Sequence, residues 1–313
     1  MDYILILIGF TVLIAGAHFL VEGASGLAKR FNVSNLIIGL TVVAFGTSAP
    51  ELVVNLVAAL GDGTTDIALT NIIGSNMINI YVILGFAALV YPISSQLSSR
   101  RFDIPLSFLA PIVILLLLLV TDNVLTQIGG LVLLAFFIWF MVVTVRKAIK
   151  HPETAVEEDI KPMKIWLASI MILGGLGSLI LGAQLIVPAA TSIAVSWGVS
   201  QAVIGLTIVA LGTSLPELAT SAVAAFKKNS DIALGNVIGS NIFNVFFILS
   251  ISAIIRPLPA YKNIYADLLV AALGSLLVLL FVSTNKKHSI KRWGGALLLL
   301  IYTVYLVWMI SLS

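Results

Sequence analysis

The sequence has 313 residues, of which 60% are hydrophobic and 10% charged, with no cysteine and a formal charge of +3. Soluble domains carry about 25% charged residues, so a mean hydropathy of +1.13 excludes a water-soluble globule. The missing cysteines exclude disulfides, thiolate metal sites and thiol nucleophiles.

Crossing a bilayer takes roughly 20 apolar residues. In chain order, candidate spans lie near 3–27, 34–60, 67–92, 104–121, 124–146, 165–187, 200–226, 232–254, 264–283 and 293–311. The first follows Asp2 rather than a basic stretch and is too long for a signal-peptide core, so it reads as a permanent span. Lipid tolerates no unpaired backbone, and these runs are too uniformly apolar for barrel strands. The expected fold is an all-α membrane protein of ten transmembrane helices. With the N-terminus outside, all of the 17 Lys and Arg except Arg256 and Lys262 fall in cytoplasmic loops. The positive-inside rule therefore predicts a cell-membrane protein with both termini extracellular. The basic charge is a topology signal, and no nucleic-acid partner is expected.

The chain is written twice. At an offset of 166, VSNLIIGLTVVAFGTSAPEL (33–52) lies over VSQAVIGLTIVALGTSLPEL (199–218). At an offset of 165, DIALTNIIGSNMINI (66–80) lies over DIALGNVIGSNIFNV (231–245). The predicted organisation is a five-helix repeat over 1–147 (motif 36–80), a cytoplasmic linker over 148–163, and a second repeat over 164–313 (motif 202–245). Five is odd, so the second repeat enters from the opposite face. Inverted-topology repeats build alternating-access transporters, with the site at the midplane where the halves meet. The linker's acidic cluster, Glu157, Glu158 and Asp159, lacks EF-hand spacing and reads as a solvated connection.

Pro50 has no N–H, and its ring clashes with the carbonyl four residues back, so the second span should break there and free carbonyls near Gly46. Pro216 and Gly212 repeat the arrangement. Glu51 and Glu217 then stand near mid-membrane, where a carboxylate costs at least about 2.5 kcal/mol. One could be an accident; matched acids in two inverted copies point to a cation that neutralises them. Carboxylate, hydroxyl, carbonyl and amide oxygens suit Ca²⁺ and Na⁺ rather than Zn²⁺ or Cu⁺. Asn71, Ser75 and Asn79 form one polar helix stripe, mirrored by Asn236, Ser240 and Asn244. For Asn71, Asn76, Asn236 and Asn241, with Gly74 and Gly239 for close packing, helix–helix glue is the competing reading. His18 and Glu22, replaced by Gln184 and Pro188 in the second copy, read as a local pair. Tyr302, Tyr305 and Trp308 read as interface anchors, and Asp66 and Asp231 as first-turn acids of the third and eighth helices.

The doubled GTSxPE and NxIGSN motifs resemble the sodium/calcium exchangers of the cation/calcium antiporter superfamily, over almost the whole chain. The resemblance implies a diamond of cation sites among the second, third, seventh and eighth helices, one preferring Ca²⁺ and the rest Na⁺. It implies Glu51 and Glu217 as shared ligands, the carbonyls of Ala44 and Ala210, and Thr47, Thr213, Ser48, Ser214, Ser75, Ser240, Asn79 and Asn244. It implies electrogenic exchange of several Na⁺ for one Ca²⁺, no cofactor, and gating by the first and sixth helices. Some relatives are acidic where Asn79 or Asn244 stands, which disfavours the K⁺-dependent alternative. A Ca²⁺/H⁺ antiporter and an open channel are the other transport readings. No Ser/His, Asp/Asp or HExxH arrangement suggests an enzyme. The lipid bilayer and the two ions are the expected partners, and a monomer is compatible with all of this.

Overall fold

The computed structural model describes residues 1–61, 65–150, 162–198 and 210–312. Its helices follow the apolar runs. They are α1 (Asp2–Phe31), a broken pair α2 (Asn35–Thr47) and α3 (Ala49–Leu60), α4 (Ala68–Val90), α5 (Ser99–Val120) and α6 (Gln127–Lys150). The second half holds α7 (Ile165–Ser196), α8 (Ala210–Thr213), α9 (Leu215–Phe226), α10 (Ser230–Ile255), α11 (Ile264–Thr284) and α12 (Arg292–Leu312).

Among the described residues, eight helices are long and apolar enough to cross a membrane, and α2 with α3 makes a ninth span bent by 47°. Only the second part of the expected seventh span is described, as α9; residues 200–209 and the acidic cluster 157–159 lie outside the described residues. Two boundaries differ from expectation. α1 runs on to Phe31, where Asn32 adopts a left-handed conformation (φ 56°) and stops it. α7 does not end at 187 but carries Pro188 inside and continues to Ser196. A proline in a long membrane helix is tolerated because neighbours re-satisfy the freed backbone groups.

α1 and α7 lie antiparallel, because small residues spaced by seven face each other. A Cβ added at Gly16 would come within 2.8 Å of the Gly175 carbonyl, and one at Gly182 within 2.8 Å of the Gly9 carbonyl. With no solvent between membrane helices, such close backbone packing is what holds them. α2 packs as tightly on α10, where a Cβ at Gly239 would lie 2.8 Å from the Leu40 carbonyl. The expectation that Gly74 does the same is not met: no atom of the described residues lies within 4 Å of its added Cβ.

Two short antiparallel ribbons close the rims. β1 (Ile93–Ser94), after α4, pairs with β4 (Ser289–Ile290), between α11 and α12. β3 (Leu258–Pro259), after α10, pairs with β2 (Val124–Leu125), between α5 and α6. Each ribbon thus joins the end of one half's third span to the last connection of the other half.

Candidate cation-binding site

The break falls where the proline dictates. Ser48 leaves helical geometry (φ −81°, ψ 7°), and Pro50 sits at the start of α3. Ser214 and Pro216 repeat this before α9. The break expected from the prolines is present in both copies, and it sets where Glu51 and Glu217 stand. Each lies in the first turn of a half-helix, whose N-terminal dipole favours negative charge by about 0.3–1 kcal/mol. Glu51 is 1% exposed and Glu217 0%. Ser48, three residues before Glu51, hydrogen-bonds to Glu217, which brings the two half-helix starts together.

Around them the helices unwind further. π-helical turns run over Ile78–Leu84 in α4 and over Asn244–Leu249 in α10, so Asn79 and Asn244 stand at matched widened turns, a form frequent at functional sites. Ser75 donates to Glu51 Oε1 at 3.5 Å, and Ser48 reaches across to Glu217 Oε1 at 3.1 Å. Asn76 Nδ2 donates to the Asn241 carbonyl and Asn241 Nδ2 to the Asn76 carbonyl, both at 3.2 Å. Asn79 Nδ2 donates to Asn241 Oδ1 and Asn244 Nδ2 to Asn76 Oδ1, both at 3.0 Å. Asn76 and Asn241 are thus the clamp between α4 and α10. With their amide nitrogens held there, Asn79 and Asn244 have their oxygens left over.

Those leftovers define the site. Glu51 Oε2, Glu217 Oε2, Asn79 Oδ1 and Asn244 Oδ1 are buried without a hydrogen-bond partner. The Ser214 hydroxyl is likewise unpartnered, while those of Thr213 and Ser240 face Glu51 and Glu217. Each orphaned buried group costs about 1–3 kcal/mol. Oxygens alone in a flexible shell suit Ca²⁺ or Na⁺. Of the expected ligands, the structure brings both glutamates, Ser48, Thr47, Ser75, Thr213, Ser214, Ser240, Asn79 and Asn244 into this one buried polar region. The Ala44 carbonyl is already occupied, accepting from Ser48 N at 3.0 Å and Thr47 Oγ1 at 3.3 Å. Ala210 opens α8, and its side chain lies outside the described residues.

Sequence reasoning missed Asn55, which is 0% exposed and donates to the Glu51 carbonyl at 3.0 Å. It also missed two buried acids at an offset of 164. Asp103 pairs with Lys147 at 3.6 Å, whose ammonium stands 3.8 Å over the Phe102 ring. Asp267 accepts from Tyr261 and Tyr305, both at 2.6 Å. The Tyr305 hydroxyl is thus held by Asp267 in the first turn of α11, and Tyr302 stacks on Tyr81. Asp231 opens α10 as expected and also accepts from Gln96 at 2.6 Å. His18 meets Glu22 at 3.2 Å, but Lys227 joins them at 3.0 Å, on the protein surface and away from the glutamates.

The description "Sodium/calcium exchanger protein" matches residues 1–146 and 167–311. The chain belongs to the sodium/calcium exchanger family. CaxA of Alkalimonas amylolytica is 37% identical over 313 residues, covering 96% of each chain. The sodium/calcium exchanger MaX1 of Methanosarcina acetivorans is 30% identical over 344 residues, covering 98% of this chain and 97% of that one. A solved structure of the sodium-calcium exchanger NCX_Mj, soaked with Na⁺ and Sr²⁺, superposes with a TM-score of 0.82 at 33% identity, covering 98% of this chain and 97% of that one. Membership of this exchanger family makes the chain a membrane protein.

Proposed function

We propose that this chain is a Na⁺/Ca²⁺ antiporter working by alternating access and moving net charge. The carrying observation is the matched set of buried, unpartnered oxygens on Glu51, Glu217, Asn79 and Asn244. Two carboxylates side by side repel unless a cation lies between them. Ca²⁺ and Na⁺ then compete for one oxygen cage, and each loaded form can change faces. The Glu51 and Glu217 carboxylates are the shared ligands. The hydroxyls of Thr47, Thr213, Ser48, Ser214, Ser75 and Ser240 and the amides of Asn79 and Asn244 extend the cluster to further Na⁺. The Ala44 carbonyl, once Ser48 N lets go, and the Ala210 carbonyl complete the set.

Ten spans in two inverted five-helix halves would carry this site, in the cell membrane with both termini outside. The rim ribbons support the inverted arrangement: a chain end after α4 can pair with the α11–α12 connection, and one after α10 with the α5–α6 connection, if the halves run oppositely. One chain supplies every ligand, so a monomer suffices. The test is ⁴⁵Ca²⁺ uptake into proteoliposomes with Na⁺, K⁺ and H⁺ gradients imposed separately. Uptake should require an outward Na⁺ gradient and respond to membrane potential. Uptake driven equally by a pH gradient would replace this reading with Ca²⁺/H⁺ exchange.

A further inference from the structure

The two halves carry matched hydrogen-bonding groups in unmatched states. In one set, Thr47 Oγ1 donates to Asn236 Oδ1 at 3.0 Å. Asn236 Nδ2 donates to Ser221 Oγ at 3.0 Å and to the Glu217 carbonyl at 3.3 Å, and Ser48 reaches Glu217. This bracket ties the turn after α2 to α9 and α10. The repeat offsets of 165 and 166 carry Asn236 onto Asn71, Thr47 onto Thr213, Ser221 onto Asn55 and Ser48 onto Ser214. The mirror bracket is open. Asn71 Nδ2, Asn55 Oδ1 and Ser214 Oγ are buried without partners, and Thr213 Oγ1 faces Glu51 rather than Asn71. Asn55 Nδ2 has turned to the Glu51 carbonyl, the acceptor that Asn71 would take by analogy with Asn236.

The open bracket also borders a cavity. Thr213 lines a space of about 310 Å³ with Pro50, Gly212 and, from α7, Ala183, Gln184 and Val187. Resting on the alternating-access reading, we infer that Asn71 and Asn236 are positioning residues that close their brackets in turn. Exchanging the conformations of inverted halves converts a form open to one face into one open to the other. In the form described, Asn236 is closed and the cavity beside Thr213 is open. In the opposite form, Asn71 closes around Thr213, Asn55 and the Glu51 carbonyl, and Asn236 lets go. A buried amide left idle is costly, so closing one bracket as the other opens keeps the two forms near balance.

The chain has no cysteine, so a single Gln184→Cys variant of the full-length protein reports on the cavity. Alkylation of that thiol by a small maleimide is timed in proteoliposomes. Asn236→Ala should slow labelling, by about fivefold for each hydrogen bond that no longer favours the described form. Asn71→Ala should leave labelling as fast or faster, and the double variant should return toward the reporter alone. Thr47→Val and Thr213→Val, which remove one hydroxyl each, should reproduce the two directions even if an asparagine variant folds poorly. The same direction for both members of a pair, or no change in either, would overturn the inference. Labelling needs no transport. Absence of Na⁺-coupled flux in the parent would defeat the antiport reading, whereas same-sign labelling would defeat the brackets alone.

Discussion

Replacing Glu51 by Gln keeps shape and one oxygen but removes one of the two charges in the cage. Glu51 is 1% exposed, and its Oε2 has no protein partner. At a ligand distance of about 2.4 Å and an effective dielectric of about 20, a carboxylate attracts a doubly charged ion by about 14 kcal/mol gross and a singly charged one by about half that. Most of this offsets the ion's lost hydration, and the amide oxygen returns a part. Breaking a buried pair by removing one partner costs about 3–5 kcal/mol net. Ca²⁺ affinity should therefore fall by about two to three and a half orders of magnitude, and Na⁺ affinity by a smaller factor. Thermal unfolding in detergent reads this directly, since a ligand stabilises in proportion to the logarithm of its concentration over Kd. The Ca²⁺-dependent rise in Tm should disappear, while the ion-free Tm should hold or increase because a like-charge contact is gone. Retention of Ca²⁺ affinity within about threefold would refute the assignment of Glu51 as a ligand.

Glu217→Gln should lose Ca²⁺ flux in the same proteoliposome assay, because its Oε2 is equally unpartnered. Ser214→Ala removes a hydroxyl with no protein partner, so ion-free stability should not fall while Na⁺ affinity drops by about fivefold, as measured by isothermal titration. Gly16→Val forces a Cβ to 2.8 Å from the Gly175 carbonyl, which should lower the Tm by the equivalent of about 1–3 kcal/mol and slow transport. Asp267→Asn weakens two charge-assisted hydrogen bonds from Tyr261 and Tyr305. A stability loss of about 2–3 kcal/mol should appear by denaturation, with Ca²⁺ affinity unchanged.

The spans were legible because lipid imposes one period and one length on them. The site was legible because Pro50, Glu51 and their copies violate that rule at matched places. Other features left weaker marks. The break at Ser48 follows from Pro50, but the placement of Glu51 in a first turn depends on where the helix restarts, which only the packed backbone decides. The π turns of α4 and α10 have no local composition that distinguishes them from regular helix. Asn55 escaped because its counterpart is Ser221, so the repeat comparison shows a mismatch rather than a motif. Asp103 and Asp267 recur at an offset of 164, but the first stands just outside the apolar run that begins at 104, close to Arg100 and Arg101. The partner of Tyr305 was hidden because hydropathy cannot reveal a carboxylate on the neighbouring helix.

The rim ribbons bear on how the protein is made. Residues 93–94 and 124–125 find their strand partners in 289–290 and 258–259, between 133 and 197 residues later in the chain. The stretch emerging first from the ribosome must wait, acids and all, until the later stretch arrives to complete its edges. Assembly and unfolding should accordingly be one cooperative event, and a chain cut at the central connection should regain its architecture only when both fragments are supplied together.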